Sequence, residues 1–125
     1  MRLARRMAGL AVLLAAAGLA GAAQARCERS DYRIVPSQNV GAEVAMRASS
    51  GRDCVIRLAA TRRFQVTKRA IVEKPQNGTV SIEGETAFYR SMPGFRGTDR
   101  FVAAVSAKGS DGEGTSLIAV TVTVD

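Results

Sequence analysis

Six basic side chains crowd into 18 residues of this chain and form its most concentrated chemical feature. A single acidic residue, Glu73, falls among them. Cations at this density attract carboxylates, phosphates and other anionic groups, and lysines also protect sheet edges against aggregation. Two interpretations stay open: a binding face for an acidic partner, or a solvated surface that guards an edge strand. The six residues are Arg57, Arg62, Arg63, Lys68, Arg69 and Lys74.

Catalytic chemistry has little support in the sequence. The chain contains no histidine, which removes the commonest general base and a usual zinc ligand. Two carboxylate pairs, Glu83 with Glu85 and Asp111 with Glu113, flank predicted turns, where solvated charge is the ordinary interpretation. The second pair could hold a weak calcium ion with loop carbonyls. We predict that the protein is not an enzyme and has no catalytic residue, cofactor or metal site.

The N-terminal segment has the features of a targeting sequence. Three arginines precede an Ala/Leu-rich run over residues 7–23, and residues 23–25 read Ala-Gln-Ala, as a signal peptidase site does. We predict a cleaved signal peptide over residues 1–25 and a periplasmic or secreted protein. An uncleaved membrane anchor is the alternative, although the run is short and rich in small residues.

Cleavage would leave residues 26–125, which suffice for one domain with one core. It would remove three of the 18 basic residues and none of the 11 acidic ones, so the net charge falls from +7 to +4. This excess suits solubility or an acidic partner. Nucleic-acid binding is not expected, because such proteins also need aromatic platforms and the chain has no tryptophan.

Two cysteines, Cys27 and Cys54, remain in the predicted mature chain. An oxidising compartment favours their pairing, so we predict one disulfide. A redox-active thiol is the alternative, but a Cys-x-x-Cys pair or a neighbouring histidine that would lower the pKa of a thiol is missing from the sequence.

The elements that must position these residues are short strands. Apolar residues recur with a period of two, glycine-rich turns separate the runs, and no long helical period is present. We predict an all-β fold, an Ig-like or cadherin-like β-sandwich of about seven strands. The candidate strands are Tyr32 to Pro36, Ala42 to Ala48, Cys54 to Ala60, Phe64 to Lys74, Gly78 to Glu83, Thr86 to Arg90, Asp99 to Lys108 and Thr115 to Val124.

The last two strands show the clearest pattern. Apolar residues alternate with Ala and Thr from Ile118 to Val124, which predicts one buried and one wet face. In the preceding strand, Val102 and Ala104 make the run from Phe101 to Val105 apolar on both sides. The favoured interpretation is that the N-terminal segment covers the second side, and the alternative is an exposed patch for a partner.

From Ile71 to Asp125, the chain resembles the repeat unit of bacterial Ig-like or cadherin-like domains, which are strung in tandem along large surface and secreted adhesins. In that pattern a proline and a glycine open a hairpin, a tyrosine closes it, and glycine, aromatic, glycine, aspartate and aromatic residues follow. These positions fall on Pro75, Gly78, Tyr89, Gly94, Phe95, Gly97, Asp99 and Phe101.

The resemblance implies structural roles for these residues. The glycines would permit positive φ where the chain reverses, Phe95 would plug the end of the sandwich, and Asp99 would accept backbone N–H bonds from the corner. If Tyr89 points inward, alternation turns Phe88 outward. Many members of the family carry an Asp/Asn-rich run where this chain has Arg62-Arg63, so calcium dependence is not expected.

These observations predict an exported, non-catalytic Ig-like module for binding, adhesion or structure. Its partner would be an unknown protein or an anionic envelope polysaccharide, held at a sheet edge or on the basic face. The alternative is a periplasmic inhibitor of a secreted hydrolase, which would insert a rigid loop, Ser91 to Thr98, into the cleft of its target.

Overall fold

The computed structural model describes residues 25–125 and is all-β in this range, apart from one turn of 3-10 helix at Pro36–Gln38. All of the predicted signal segment except Ala25 lies outside the described residues. The eight strands are β1 (Cys27–Arg29), β2 (Ala42–Ala48), β3 (Asp53–Arg57), β4 (Gln65–Glu73), β5 (Gly78–Glu83), β6 (Thr86–Ser91), β7 (Gly97–Gly109) and β8 (Gly112–Val124).

Two sheets pack face to face as a β-sandwich, which confirms the predicted fold class. The first has the strand order β1-β2-β8-β7-β4 and the second β3-β6-β5. Strand β2 runs parallel to β8, whereas every other pair is antiparallel. Strands β1 and β4 end the first sheet and β3 and β5 end the second, so each of these four has only one neighbour within its sheet.

The alternation predicted for the last strand is confirmed. Ile118, Val120 and Val122 of β8 are fully buried, and Phe101 and Val105 of β7 share their face. Side chains from β2, β3 and β6 complete this single core. The core accordingly lies between the two sheets, where alternate residues of each strand meet.

Within residues 25–125, the N-terminal segment does not cover the second apolar side of β7, so the favoured prediction for this side was wrong. That segment forms β1, which pairs with β2 and is separated from β7 by both β2 and β8. Val102 is nevertheless buried, in register with Ala119 on one side and Glu73 on the other. Leu117, in register with Ala104, is 52% exposed.

The predicted strand over Tyr32 to Pro36 is also absent, and β1 was not predicted. Val35 and Val40 form an isolated bridge that is closed by the 3-10 turn. Pro36 lacks an N–H and starts that turn, while Asn39 adopts the left-handed conformation, with φ 56°, and accepts the Thr115 N–H through its side-chain oxygen. A loop folded onto β8 thus replaces the strand.

The predicted disulfide between Cys27 and Cys54 is present and joins β1 of one sheet to β3 of the other. Strand β1 has only three residues, all exposed, and is held by the crosslink as well as by its pairing with β2. It closes a loop with a sequence separation of 27, and chain entropy gives such a loop roughly 3.5 kcal/mol of stabilisation.

We expect the double variant Cys27→Ser/Cys54→Ser to lose about 3 kcal/mol of unfolding free energy while staying folded at room temperature. Urea unfolding followed by circular dichroism measures the loss, with the oxidised wild type as reference. A loss below about 1 kcal/mol would show that the β1 pairing holds the N-terminal segment without the crosslink.

Candidate functional site

The predicted structural corner brings Tyr89, Asp99 and Phe101 together inside the sandwich. The rings of Tyr89 and Phe101 stack with their centroids 5.8 Å apart and their planes 10° from parallel. The Tyr89 hydroxyl donates a hydrogen bond of 2.8 Å to Asp99 Oδ2. Tyr89 points inward as predicted and is fully buried, whereas Phe88 turns outward.

Asp99 anchors the connection between β4 and β5. Its carboxylate accepts the backbone N–H groups of Gln76, at 3.0 Å, and Asn77, at 3.1 Å, besides that of Arg100. These donors belong to the β4–β5 connection and to β7, not to the Pro93 to Thr98 corner, so the predicted source of the bonds was wrong. With 4% of its surface exposed, the carboxylate ties two parts of the fold together.

The electrostatics of this cluster suit a structural role. Burial raises the pKa of the Tyr89 hydroxyl above its ordinary value, and the hydrogen bond and charge of Asp99 raise it further. The phenol therefore stays protonated at neutral pH and keeps donating to Asp99. A phenol held in this way is a poor nucleophile or base.

Two glycines of the corner are required by the geometry around them. A Cβ at Gly78 would lie 2.5 Å from the Arg90 carbonyl oxygen and 3.1 Å from the Tyr89 ring. Gly94 has φ 87° in the turn from Met92 to Phe95, a conformation that L side chains rarely adopt.

Phe95 does not plug the end of the sandwich as completely as predicted. It packs against the core but stays partly exposed, because it belongs to the turn outside the sheets and not to a strand. Gly97 follows with φ 142° and begins β7. The fully buried aromatic side chains of the core are Tyr89 and Phe101 instead.

The six predicted basic residues do not share one face. Arg57 and Arg69 converge on the carboxylate of Glu85, with Arg57 donating to Oε1 and Arg69 Nη2 lying 3.7 Å from Oε2. Arg69 also donates from Nε to the Leu58 carbonyl oxygen at 2.6 Å, and its side chain is 21% exposed. These two arginines link β3 and β4 to the β5–β6 turn, which removes them from a free basic surface.

Sequence reasoning missed the role of Glu85, which it treated as a loop charge. Glu85 lies 28 residues from Arg57 along the chain, so no local spacing indicates the contact. Only the pairing of β3 with β6 brings the two side chains together.

The other four basic residues follow the edge strand β4 from one end to the other. Arg62 and Arg63 precede it, Lys68 lies within it and Lys74 follows it. Over the nine residues of β4 they span about 30 Å. Within residues 25–125, none of the four makes an ion pair. Arg63 lies over the Phe64 ring, 5.4 Å from its centroid.

The free edge of β4 is irregular. Its register against β7 shifts between Val66 and Lys68 and again between Ile71 and Glu73. Such bulges and an exposed lysine are features that keep edge strands from pairing with other chains. A partner on this edge would therefore contact side-chain cations more readily than backbone groups.

The carboxylate pairs behave as solvated or paired charge. Asp111 accepts a hydrogen bond of 3.0 Å from the Ser37 hydroxyl, and Glu113 lies 3.9 Å from Lys108 Nζ. No group of three or more metal-binding side chains forms within residues 25–125.

Comparison with known proteins adds no assignment, because no family model and no curated protein match the chain. In the part of the chain that the structure describes, no helix is long and apolar enough to cross a bilayer.

Proposed function

We propose that this chain is an exported, non-catalytic Ig-like module that binds an anionic polysaccharide of the cell envelope along β4. The supporting observation is the row of four cations, Arg62, Arg63, Lys68 and Lys74, on one edge strand and its flanks. The predicted signal segment and the disulfide between the sheets fit the same oxidising compartment.

The row of cations suits a linear partner better than a compact one. The row forms three groups, Arg62 with Arg63, then Lys68, then Lys74, and strand geometry spaces these groups about 15–20 Å apart. A small anion could therefore contact only one group at a time. An extended polyanion could contact all of them, and its affinity would then fall steeply with salt because exposed charges are screened. The irregular backbone edge of β4 is compatible with binding of a polyanion, because binding through side-chain cations does not require backbone pairing.

A second candidate function, inhibition of a secreted hydrolase, is favoured by the loop Ser91 to Thr98. The Phe95 N–H donates to the Met92 carbonyl, and the Gly94 N–H donates to the Ser50 hydroxyl at 2.9 Å. A further bond of 3.0 Å joins the Gly51 N–H to the Ser91 hydroxyl. The loop is thereby fixed before binding, with Met92 52% exposed at its surface, and preorganisation of this kind favours affinity.

We expect reversal of the β4 cations to weaken polysaccharide binding strongly. The variant Arg62→Glu/Lys68→Glu/Lys74→Glu should bind immobilised alginate at least about tenfold more weakly than the wild type, because three attractions become repulsions. Arg63 is left in place for its contact with Phe64. Biolayer interferometry at low and at physiological salt measures both the affinity and its salt dependence.

The control is Arg33→Glu/Arg52→Glu/Arg96→Glu, which changes the net charge equally at exposed positions outside β4. Both variants should keep the melting temperature of the wild type within a few degrees, since exposed charges contribute little to stability. Equal losses of affinity in the two variants would show that binding depends on the net charge of the protein and not on the β4 cations, which would contradict the proposal. Undiminished binding of the β4 variant would reject the proposal. One-to-one binding of a secreted hydrolase by the loop Ser91 to Thr98 would support the second candidate.

A further inference from the structure

The outer face of the three-stranded sheet is a regular array of nine side chains. In β3, β6 and β5, alternate residues point away from the core, and the register aligns them in three rows of three. The rows are Asp53, Arg90 and Thr79; Val55, Phe88 and Ser81; and Arg57, Thr86 and Glu83. No described strand covers this face.

An aromatic ring occupies the centre of this array. The chain has six aromatic residues, and five of them are buried or packed against the core. Phe88 alone is partly exposed on an outward sheet face. Its ring is therefore available to a partner, and its place in the middle strand surrounds it with polar side chains.

The groups around Phe88 offer both hydrogen-bond donors and acceptors. Arg90 Nε donates to Asp53 Oδ1 at 2.8 Å, which holds the two side chains of that pair across neighbouring strands. Thr79 and Ser81 are exposed hydroxyls on β5. The array contains two arginines and two carboxylates, so its formal charge is zero, unlike the row of cations along β4.

The same face carries a shallow depression of about 350 Å³, with Phe88 in its lining. The other lining residues all belong to the array: Asp53, Thr79, Ser81, Glu83 and Arg90. Three strands and three rows give the array a span of about 10 by 14 Å. A surface of this size accommodates two or three sugar rings in line.

We propose that this face binds a neutral polysaccharide chain, with a pyranose ring stacked on Phe88. A pyranose presents polarised C–H groups on one face, which pack against the electron-rich face of an aromatic ring. Its hydroxyls at the rim both donate and accept, as do the side chains of the array. The absence of net charge in the array gives no advantage to an anionic sugar, so this site is chemically distinct from the edge of β4.

The test is a titration of the ¹⁵N-labelled protein with four hexasaccharides, made of β-1,4-glucose, β-1,3-glucose, α-1,4-glucose and β-1,4-N-acetylglucosamine. At least one should shift the amide resonances of β5 and β6 around Phe88. The Phe88→Ala variant should bind it at least about tenfold more weakly, and Phe88→Tyr should retain the affinity because the ring is kept.

The matched control is Leu117→Ala, which removes an exposed apolar side chain from the outer face of the other sheet and should leave binding unchanged. Unlike binding to alginate, binding to the neutral sugar should persist in the β4 charge-reversal variant and at high salt, so this site and the proposed function can fail separately. The proposal is overturned if none of the four sugars shifts these resonances, or if a folded Phe88→Ala variant binds as the wild type does.

Discussion

Replacement of Asp99 with alanine is expected to lower the free energy of unfolding by about 3–5 kcal/mol, because several hydrogen bonds to a charged group are lost together. The substitution deletes a buried carboxylate and leaves three donors without their acceptor: the buried Tyr89 hydroxyl and the part-buried Gln76 and Asn77 N–H groups. A buried donor that loses its acceptor costs about 1–3 kcal/mol. Equilibrium unfolding in urea, with the slope compared between variants, measures the change.

Two companion variants separate the parts of this effect. Tyr89→Phe removes one hydrogen bond and should cost about 1 kcal/mol. Asp99→Asn keeps the volume but can accept through one oxygen only, so its cost should lie between those of the other two variants. If Asp99→Ala costs no more than Tyr89→Phe, the backbone N–H groups have found other acceptors and the carboxylate does not anchor the β4–β5 connection.

The parts of the fold that sequence predicts well are those with a strong local pattern. In β8, apolar residues alternate from Ile118 to Val124, so one register alone buries them all. The disulfide follows from having two cysteines in a chain expected to be exported. The inward orientation of Tyr89 agrees with the alternation of β6, whereas its hydrogen bond to Asp99 was not predicted.

Contacts between distant segments could not be predicted. The parallel pairing of β2 with β8 joins Ala42 to Ile118, which lie 76 residues apart, and neither strand carries a signal for the other. The loop around Pro36 and Asn39 depends in the same way on two donors from β8, the Thr115 N–H and the Ser116 hydroxyl. The apolar residues of this segment have the pattern of a strand, but its hydrogen bonds to β8 hold it as a loop.

The basic surface shows why closeness in sequence does not define a site. Lys68 and Arg69 are adjacent in β4, so the alternation of a strand sends them to opposite sides. Arg69 shares the side of Val105 and reaches the Leu58 carbonyl, whereas Lys68 lies opposite Ser106. The alternation of β4 thus places neighbouring cations of the sequence on opposite faces of the sheet. The array around Phe88 was not predicted either, because its residues come from three strands and are brought together only by the pairing of those strands.

The second large effect is expected at Phe101, where replacement with alanine should cost about 3–5 kcal/mol. Phe101 is fully buried and stacks on Tyr89, so the substitution opens a cavity in the core and also removes an aromatic pair. Phe95→Ala should cost only about 1–2 kcal/mol, since its partly exposed ring leaves less unfilled volume. Urea unfolding of both variants at one pH gives the comparison. Equal losses would mean that the turn carrying Phe95 closes the sandwich as tightly as β7 does.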